Sequence, residues 1–144
     1  MQKTIIMSLG GSLIVPDKID VNFLRGFKKT IERFVKRKYR FAIICGGGKT
    51  ARDYQKAALG IGKQSDEYLD WLGIHATKIN AWFMKSIFGG NAEQLIVDNP
   101  TKKVNFTRKI LIASGWKPGW STDYDAVLLA KNLKVDMIIN MSNI

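Results

Sequence analysis

The chain has 144 residues, of which 46% are hydrophobic, and its 23 Lys and Arg against 12 Asp and Glu give a formal net charge of +11. This composition predicts one domain with a buried core and excludes global disorder, and no apolar run reaches the roughly 20 residues of a membrane span. A single cysteine, Cys45, excludes an internal disulfide, and the first residues lack a signal-peptide layout, so we expect a cytoplasmic protein.

Apolar runs and helical spacing alternate along the sequence. Strands are predicted at residues 4–9, 41–44, 93–97, 110–113 and 135–141. Helices are predicted at residues 20–38, 50–59, 65–87 and from the segment after 115–125 to about 133, with Asp20 and Ser65 as N-caps of the first and third. The alternation predicts an α/β fold in which a largely parallel sheet is covered on both faces.

Much of the positive charge lies in segment 20–40. Its apolar residues have helical spacing, and Glu32 alone offsets the basic residues Arg25, Lys28, Lys29, Arg33, Lys36, Arg37, Lys38 and Arg40. The pattern predicts an amphipathic helix with a basic outer face. A solvated face is the favoured interpretation, and a surface for nucleic acid or membrane is the alternative.

Two predicted strands end in glycine clusters, at residues 10–12 and 46–48. Glycine lets backbone amides approach a phosphate closely, although each cluster alone also fits a tight turn. The second cluster is not a Walker A loop, because Ile43 stands where that motif has its first glycine. It satisfies a dinucleotide G-x-G-x-x-A pattern, but the acidic residues that follow, Glu67 and Asp70, fall in a predicted helix rather than at a strand end.

Segment 115–125 is a polar loop between an apolar strand and a helix. It contains two glycines, a proline, a lysine, two tryptophans, two hydroxyl side chains and two acidic residues. Ligands of α/β proteins bind at such loops, so we predict a ligand-binding loop. The alternative is an ordinary connection with Thr122 or Asp123 as the helix N-cap. Asp123 and Asp125 also suit the positive end of a helix dipole, with a magnesium or phosphate role as the alternative.

Four segments together resemble the amino acid kinase superfamily, most closely its uridylate (UMP) kinases of the archaeal type: residues 46–54, 70–81, 118–130 and 140–144. The loop at residues 8–12 is similar as well. The resemblance implies a three-layer αβα sandwich with a mainly parallel sheet. It also implies a homohexamer that phosphorylates UMP to UDP for pyrimidine nucleotide biosynthesis, with ATP as donor and Mg²⁺.

The resemblance further implies that residues 1–144 form the N-terminal, acceptor-nucleotide-binding part of such a domain. Chains of this family continue beyond the position of Asn143 into an ATP-binding part. We therefore expect a C-terminally truncated chain whose fold is incomplete at that end.

The resemblance assigns roles to individual residues. UMP would bind Gly47, Asp70, Trp116, Lys117, Pro118, Gly119, Trp120, Ser121 and Thr122, with Asp70 accepting hydrogen bonds from the ribose hydroxyls. ATP would bind Ser8, Leu9, Gly10, Gly11, Ser12, Gly48, Arg52, Ser142 and Asn143. Arg52 would lie close to the transferred phosphoryl group, and Ser8 takes the position of a lysine that touches this group in many members.

Other functions are less favoured by the residues. The chain has one His and one Cys, so no zinc site can be assembled from soft ligands, no residue is assigned as a metal ligand, and His75 and Cys45 are interpreted as structural. The alternatives to a UMP kinase are a fragment that binds nucleotide or anions without catalysis, and another small-molecule kinase of the same family. Nucleic-acid binding ranks last, because aromatic residues are not interleaved with the basic residues of segment 20–40.

Overall fold

The structure is a computed structural model that describes residues 2–143, so the outermost residues of the predicted domain 1–144, including the Ile144 of matched segment 140–144, lie outside the described residues. Its elements in chain order are β1 (Lys3–Leu9), α1 (Gly11–Ile14), α2 (Val21–Lys36), β2 (Tyr39–Cys45), α3 (Gly48–Ile61), α4 (Asp66–Phe88), β3 (Ile110–Ala113), α5 (Thr122–Leu133) and β4 (Ile138–Met141). A short 3₁₀ turn at Gly89–Asn91 follows α4.

The four strands form one parallel sheet in the order β3-β2-β1-β4. β1 and β2 pair in register from Lys3 with Tyr39 to Leu9 with Cys45. The last five residues of each of these strands are buried, as expected for central strands that are apolar on both faces. The predicted parallel sheet is confirmed.

Helices cover both faces of this sheet. On one face, Ile5, Met7 and Leu9 belong to a cluster with buried side chains of α2 and α4, among them Leu24, Phe27, Ile31, Ala81, Met84 and Phe88. On the other face, Ile6 and Ile44 pack with α5 through Ala126, Leu129 and Ala130. The predicted three-layer αβα arrangement is confirmed. Among the helices of residues 2–143, none combines the length and apolar composition needed to cross a bilayer.

Helices α2 and α4 begin at the predicted caps. Asp20 accepts a hydrogen bond from the amide of Phe23 at 3.0 Å, and Ser65 accepts one from the amide of Tyr68 at 3.1 Å. Each contact satisfies a first-turn donor that has no partner within the helix. Leu24, Phe27 and Ile31 of α2 are buried, and most basic residues of this helix are exposed, so the predicted amphipathic helix is confirmed.

The predicted strand at residues 93–97 is wrong. Residues 92–97 pair with β3 only through two isolated bridges, from Ala92, just before the predicted strand, to Ile110 and from Val97 to Ala113. The two bridges are five residues apart on this segment and three residues apart on β3. Two extra residues therefore bulge out of the pairing, and no continuous ladder of hydrogen bonds forms. Leu95, between the bridges, is 82% exposed.

The final strand also differs from the prediction. It was expected at residues 135–141 as a central strand, but β4 begins at Ile138 and pairs within the described sheet only with β1. Its first three residues are exposed. Apolar composition predicts the strand, but the number of its neighbours is a property of the assembled sheet.

The two glycine clusters lie against each other with no room for side chains. A Cβ added to Gly11 would overlap the backbone nitrogen of Gly48 and lie 2.6 Å from that of Gly47. A Cβ on Gly46 would lie 2.5 Å from the backbone nitrogen of Gly11. Gly48 adopts φ +61°, in the left-handed region that favours glycine. The ends of β1 and β2 therefore meet backbone to backbone.

We expect Gly11→Ala to lower the free energy of unfolding by about 1–3 kcal/mol, because the added methyl group must push the two loops apart. The matched control is Gly26→Ala in α2, where a Cβ meets nothing within 4 Å. That change is expected to raise stability by up to about 1 kcal/mol through helix propensity. Urea unfolding of both variants checks the pair, and equal stabilities would contradict the backbone contact.

Candidate functional site

A cavity of about 590 Å³ lies at the carboxyl ends of the central strands. Three chain segments form it: the start of α3, one face of α4 and the loop 115–122. Its lining residues are Gly47, Gly48, Ala51, Arg52, Gln55, Asp70, Gly73, Ile74, Thr77, Gly115, Lys117, Gly119, Trp120, Ser121 and Thr122. A second hollow, beside residues 93–105, lies away from these loops. Ligands of open α/β sheets bind at the carboxyl ends of the strands, so the cavity at the strand ends is the candidate functional site.

The α3 end of the cavity suits an anion. Gly47 is the N-cap of α3 and supplies no side-chain cap. The Lys49 amide donates to the carbonyl oxygen of Val15 at 3.0 Å, whereas the amides of Gly48 and Thr50 have no backbone partner among the described residues. These two amides lie at the positive end of the helix dipole and can donate to a ligand. Arg52 projects from the second turn, is exposed and lines the cavity. A guanidinium beside free helix amides is a favourable arrangement for a phosphate group.

Lys49, one turn earlier on α3, is already paired. Its Nζ donates to Asp53 at 2.8 Å and lies 3.6 Å from Asp17. The hydrogen bond to Asp53 raises the pKa of Lys49. Two carboxylates therefore compensate the positive charge of Lys49, whereas Arg52 has no ion pair within the described residues.

Two buried polar side chains of α4 hold the loops around the cavity. The Asn80 amide donates to the carbonyl oxygens of Gly46 at 2.8 Å and Gly47 at 3.3 Å. The Thr77 hydroxyl accepts from the amide of Gly115 at 2.8 Å. One helix face thus fixes both the second glycine cluster and the start of the loop 115–122.

A carboxylate of α4 also fastens the tip of that loop. The amide of Gly119 donates to Asp70 Oδ2 at 2.8 Å. Gly119 has φ +87°, which lets its amide turn toward α4. Asp70 lines the cavity, and its second oxygen has no hydrogen-bond partner among the described residues.

The loop 115–122 carries an aromatic cluster. The ring centroids of Trp116 and Trp120 are 5.4 Å apart, and those of Trp120 and Tyr124 are 4.7 Å apart. The ammonium of Lys117 lies 4.2 Å from the ring centroid of Trp116 and 5.1 Å from that of Trp120. Cation–π attraction at these distances restrains the lysine side chain.

The end of β1 contacts the start of α5. Ser8 is 3% exposed, and its hydroxyl donates to Asp123 Oδ1 at 2.7 Å. Gly10 donates its amide to the carbonyl oxygen of Met141 at 2.8 Å, which brings Ser142 next to the first glycine cluster. The residues that the family resemblance assigns to ATP therefore adjoin the same edge of the sheet.

The cavity collects only part of the predicted site. Of the residues assigned to UMP, it is lined by Gly47, Asp70, Lys117, Gly119, Trp120, Ser121 and Thr122, but not by Trp116 or Pro118. Of those assigned to ATP, it is lined by Gly48 and Arg52, while Ser8, Leu9, Gly10, Gly11, Ser12, Ser142 and Asn143 lie outside it. The alternative interpretation of this loop had Thr122 or Asp123 as the N-cap, and that cap is wrong: α5 begins at Thr122, so Ser121 is the cap and accepts from the amide of Tyr124 at 3.1 Å.

Asp125 lies beneath the loop in the first turn of α5 and is 1% exposed. Burial raises the pKa of its carboxyl to about 6. The nearby backbone amide of Trp116 lowers the pKa by a smaller amount. Its geometry is not that of a hydrogen bond, and both Asp125 oxygens are without a hydrogen-bond partner among the described residues. Sequence reasoning placed this acid at a helix end but missed that the side chain turns inward.

Sequence reasoning also missed the supporting residues Thr77 and Asn80. Their signal is present in the sequence: two polar residues three positions apart on a helix face that is otherwise apolar, with Ala76, Ala81 and Met84 as buried neighbours. Such buried polar groups need partners, and here the partners are loop backbone groups. Cys45 is fully buried, and burial raises the pKa of its thiol to about 12, so it is an unreactive core residue.

Comparison with known proteins adds an independent finding. A sequence model described as the amino acid kinase family matches residues 3–144. The uridylate kinases of Thermococcus onnurineus and Thermoplasma volcanium are each 34% identical to this chain, over 97% and 100% of its length. The chain spans 62% and 63% of the length of these two relatives.

Solved structures give the same result for the fold. The uridylate kinase of Archaeoglobus fulgidus superposes with a TM-score of 0.80 at 31% identity, covering 100% of this chain and 64% of that one. The aspartate kinase of Synechocystis superposes with a TM-score of 0.74 at 15% identity, covering 97% of this chain and 28% of that one. The second likeness shows a shared fold only.

We expect stability to fall as pH rises from 3.8 to about 6, by on the order of 2 kcal/mol from Asp125. The unfolded state loses this proton at lower pH than the folded state does, so ionisation favours unfolding over that interval. Asp125→Asn removes the titration, so its stability relative to the parent chain should rise over the same interval.

Urea unfolding between pH 4 and pH 7 measures this difference. The exposed Asp136→Asn is the control, because it leaves the buried carboxyl in place. If the free energies of unfolding of Asp125→Asn and the parent chain differed by the same amount at every pH, the proposed effect of burial on the Asp125 pKa would be contradicted.

Proposed function

The chain belongs to the amino acid kinase family, and on that premise we propose that it forms the UMP-binding part of a uridylate kinase, which transfers the γ-phosphate of ATP to UMP to give UDP. The observation that supports this most directly is the cavity itself. It is lined by Gly48 and Arg52 of α3, by the carboxylate of Asp70 and by Trp120 and Lys117 of the loop. A nucleoside monophosphate has a matching group for each of them: a phosphate, a ribose and a base.

The phosphate of UMP would bind at the N-terminus of α3. The amides beyond Gly47 and the guanidinium of Arg52 provide hydrogen-bond donors and positive charge there. The UMP phosphate is itself the nucleophile, so the reaction needs in-line positioning and charge stabilisation rather than a protein base. Arg52 is the residue that we propose for stabilising charge as the phosphoryl group transfers.

The ribose of UMP would lie over Asp70. An ionised carboxylate only accepts hydrogen bonds, and two adjacent ribose hydroxyls are donors. In the structure one oxygen of Asp70 already accepts from Gly119. Ribose binding would therefore use the other oxygen and leave the loop contact in place.

ATP would approach from the first glycine cluster. Residues 10–12 and Ser142 adjoin the Ser8–Asp123 contact at the edge of the cavity. Mg²⁺, which neutralises phosphate charge in ATP-dependent transfer, prefers one or two carboxylates together with phosphate oxygens. Asp123, with the Ser8 hydroxyl beside it, offers such oxygen donors, so the residues present fit the ion.

We further propose a homo-oligomer and a cytoplasmic location, as in the family that the sequence resembles. Exposed apolar side chains support the first: Ile79 is 63% exposed, Trp82 60% and Leu95 82%. Burial of such side chains in a subunit contact is favourable. The single thiol, buried and protonated, is compatible with a reducing compartment.

We expect Asp70→Asn to weaken UMP binding by about tenfold, because the replacement amide loses the charge that strengthens bonds from the ribose hydroxyls. Isothermal titration of the chain with UMP and with 2′-deoxy-UMP measures the effect. The parent chain should prefer UMP, and the variant should lose most of that preference. Tight binding of aspartate with none of UMP would contradict the proposed acceptor and favour another small-molecule kinase.

We expect Arg52→Gln to weaken UMP binding by about tenfold or more, while binding of uridine stays within about twofold, because only UMP presents a phosphate to the guanidinium. Lys56→Gln is the matched control, since Lys56 lies one turn further along α3, is exposed and does not line the cavity. Equal losses for UMP and uridine would place Arg52 outside the phosphate site.

A further inference from the structure

Trp116, Trp120 and Tyr124, at positions i, i+4 and i+8, form an aromatic row beside the cavity. Trp116 and Trp120 are tilted at 45° and Trp120 and Tyr124 at 30°, with centroid distances of 5.4 and 4.7 Å. Only Trp120 of the three lines the cavity. Trp116 and Tyr124 therefore pack on either side of Trp120 and fix the ring that faces a ligand.

Lys117 is the cation of this row. Its Nζ lies over the rings of Trp116 and Trp120, and the residue lines the cavity. The ion pairs among the described residues involve Lys49 and Lys78, not Lys117. The ammonium is thus restrained by two indole rings while its N–H groups keep their capacity to donate to a ligand.

The two ends of the cavity decide which part of a nucleotide meets this row. In the proposed function the helix amides and Arg52 bind the phosphate, and Asp70, which lines the cavity and also accepts from the loop amide of Gly119, binds the ribose. A nucleotide held in this order presents its base to Trp120 and Lys117. This step rests on the proposed function.

We propose that Trp120 is the platform on which the acceptor base stacks and that Lys117 selects uracil over cytosine by donating a hydrogen bond to O4. An ammonium donates and never accepts. Uracil presents a carbonyl acceptor at C4, as thymine does, whereas cytosine presents an amino donor there. With cytosine, two donors would face each other and the ammonium would lose water without gaining a partner.

Stacking and selection make separable contributions. Stacking on an aromatic ring accepts any base, because every base has a π-face. The hydrogen bond to O4 depends on the base. Removal of the Trp120 ring should therefore weaken both pyrimidine nucleotides, and removal of the Lys117 charge should weaken one of them.

The experiment titrates the chain with UMP, CMP and ribose 5-phosphate by calorimetry. Lys117→Met keeps the length of the side chain and removes its donors, so UMP binding should weaken about tenfold while CMP binding changes less than about twofold. Trp120→Ala should weaken UMP and CMP about tenfold alike and leave ribose 5-phosphate unchanged, and Trp120→Phe should retain most of the affinity.

Lys85→Met provides the matched control, since Lys85 Nζ lies 5.0 Å from the ring centroid of Trp82, a similar cation–π pair outside the cavity. Circular dichroism establishes that each variant is folded, and Trp120→Leu, which also lacks an aromatic ring, replaces Trp120→Ala if the latter unfolds. Tryptophan fluorescence gives a second readout. UMP should quench the fluorescence of the parent chain and of Trp82→Phe, but quench that of Trp120→Phe far less.

The inference is supported if the ratio of UMP to CMP affinity is smaller in Lys117→Met than in the parent chain while this ratio is unchanged in Lys85→Met. UMP binding with an unchanged ratio of UMP to CMP affinity in Lys117→Met overturns it while the proposed acceptor site stands. Equal affinity of the parent chain for UMP and CMP overturns the selection as well. Binding of ribose 5-phosphate without any binding of UMP overturns the proposed function together with the inference.

Discussion

The backbone contact between the two glycine clusters determines how the site is assembled. The backbone of Gly11 lies so close to the backbone of residues 46–48 that a Cβ at Gly11 would overlap it. The ends of β1 and β2 can therefore approach this closely only because Gly11 has no side chain. This contact sets the start of α3 against the end of β1. The helix amides that suit a phosphate, and the loop assigned to ATP, consequently lie at the same edge of the sheet. Any side chain at Gly11 separates the two parts.

Helix α4 connects this edge to the acceptor loop. Asn80 holds the glycine cluster, Thr77 holds Gly115 and Asp70 holds Gly119. These three polar residues lie along one helix, so its packing on the sheet positions both walls of the cavity together. Buried polar groups that are satisfied in this way favour one arrangement over alternatives. The cavity is therefore a product of α4 as much as of the loops.

Sequence patterns succeeded where local chemistry determines the outcome. Buried apolar runs identified β1, β2 and β3, and the caps Asp20 and Ser65 identified the starts of α2 and α4, since a short polar side chain satisfies the first-turn amides regardless of tertiary context. Segment 93–97 contains the apolar run Leu95 to Val97, but residues 92–97 pair with β3 at only two points, because the spacing of these two points differs from that of their partners in β3. Strand pairing is a non-local property, and composition alone does not determine it.

For this protein, the sequence by itself determined the α/β class, the parallel sheet, the two glycine clusters and the polar loop at residues 115–125. The resemblance of segments 46–54, 70–81, 118–130 and 140–144 to the amino acid kinase superfamily predicted the family that the comparison shows. Only the tertiary structure decided that Asp70 fastens Gly119, that Lys49 is paired while Arg52 faces the cavity, and that Asp125 is buried. The reason is that each of these facts depends on which distant segment a side chain meets. The tryptophans of the loop, unexplained in the sequence, gain a role from the lysine that their rings restrain.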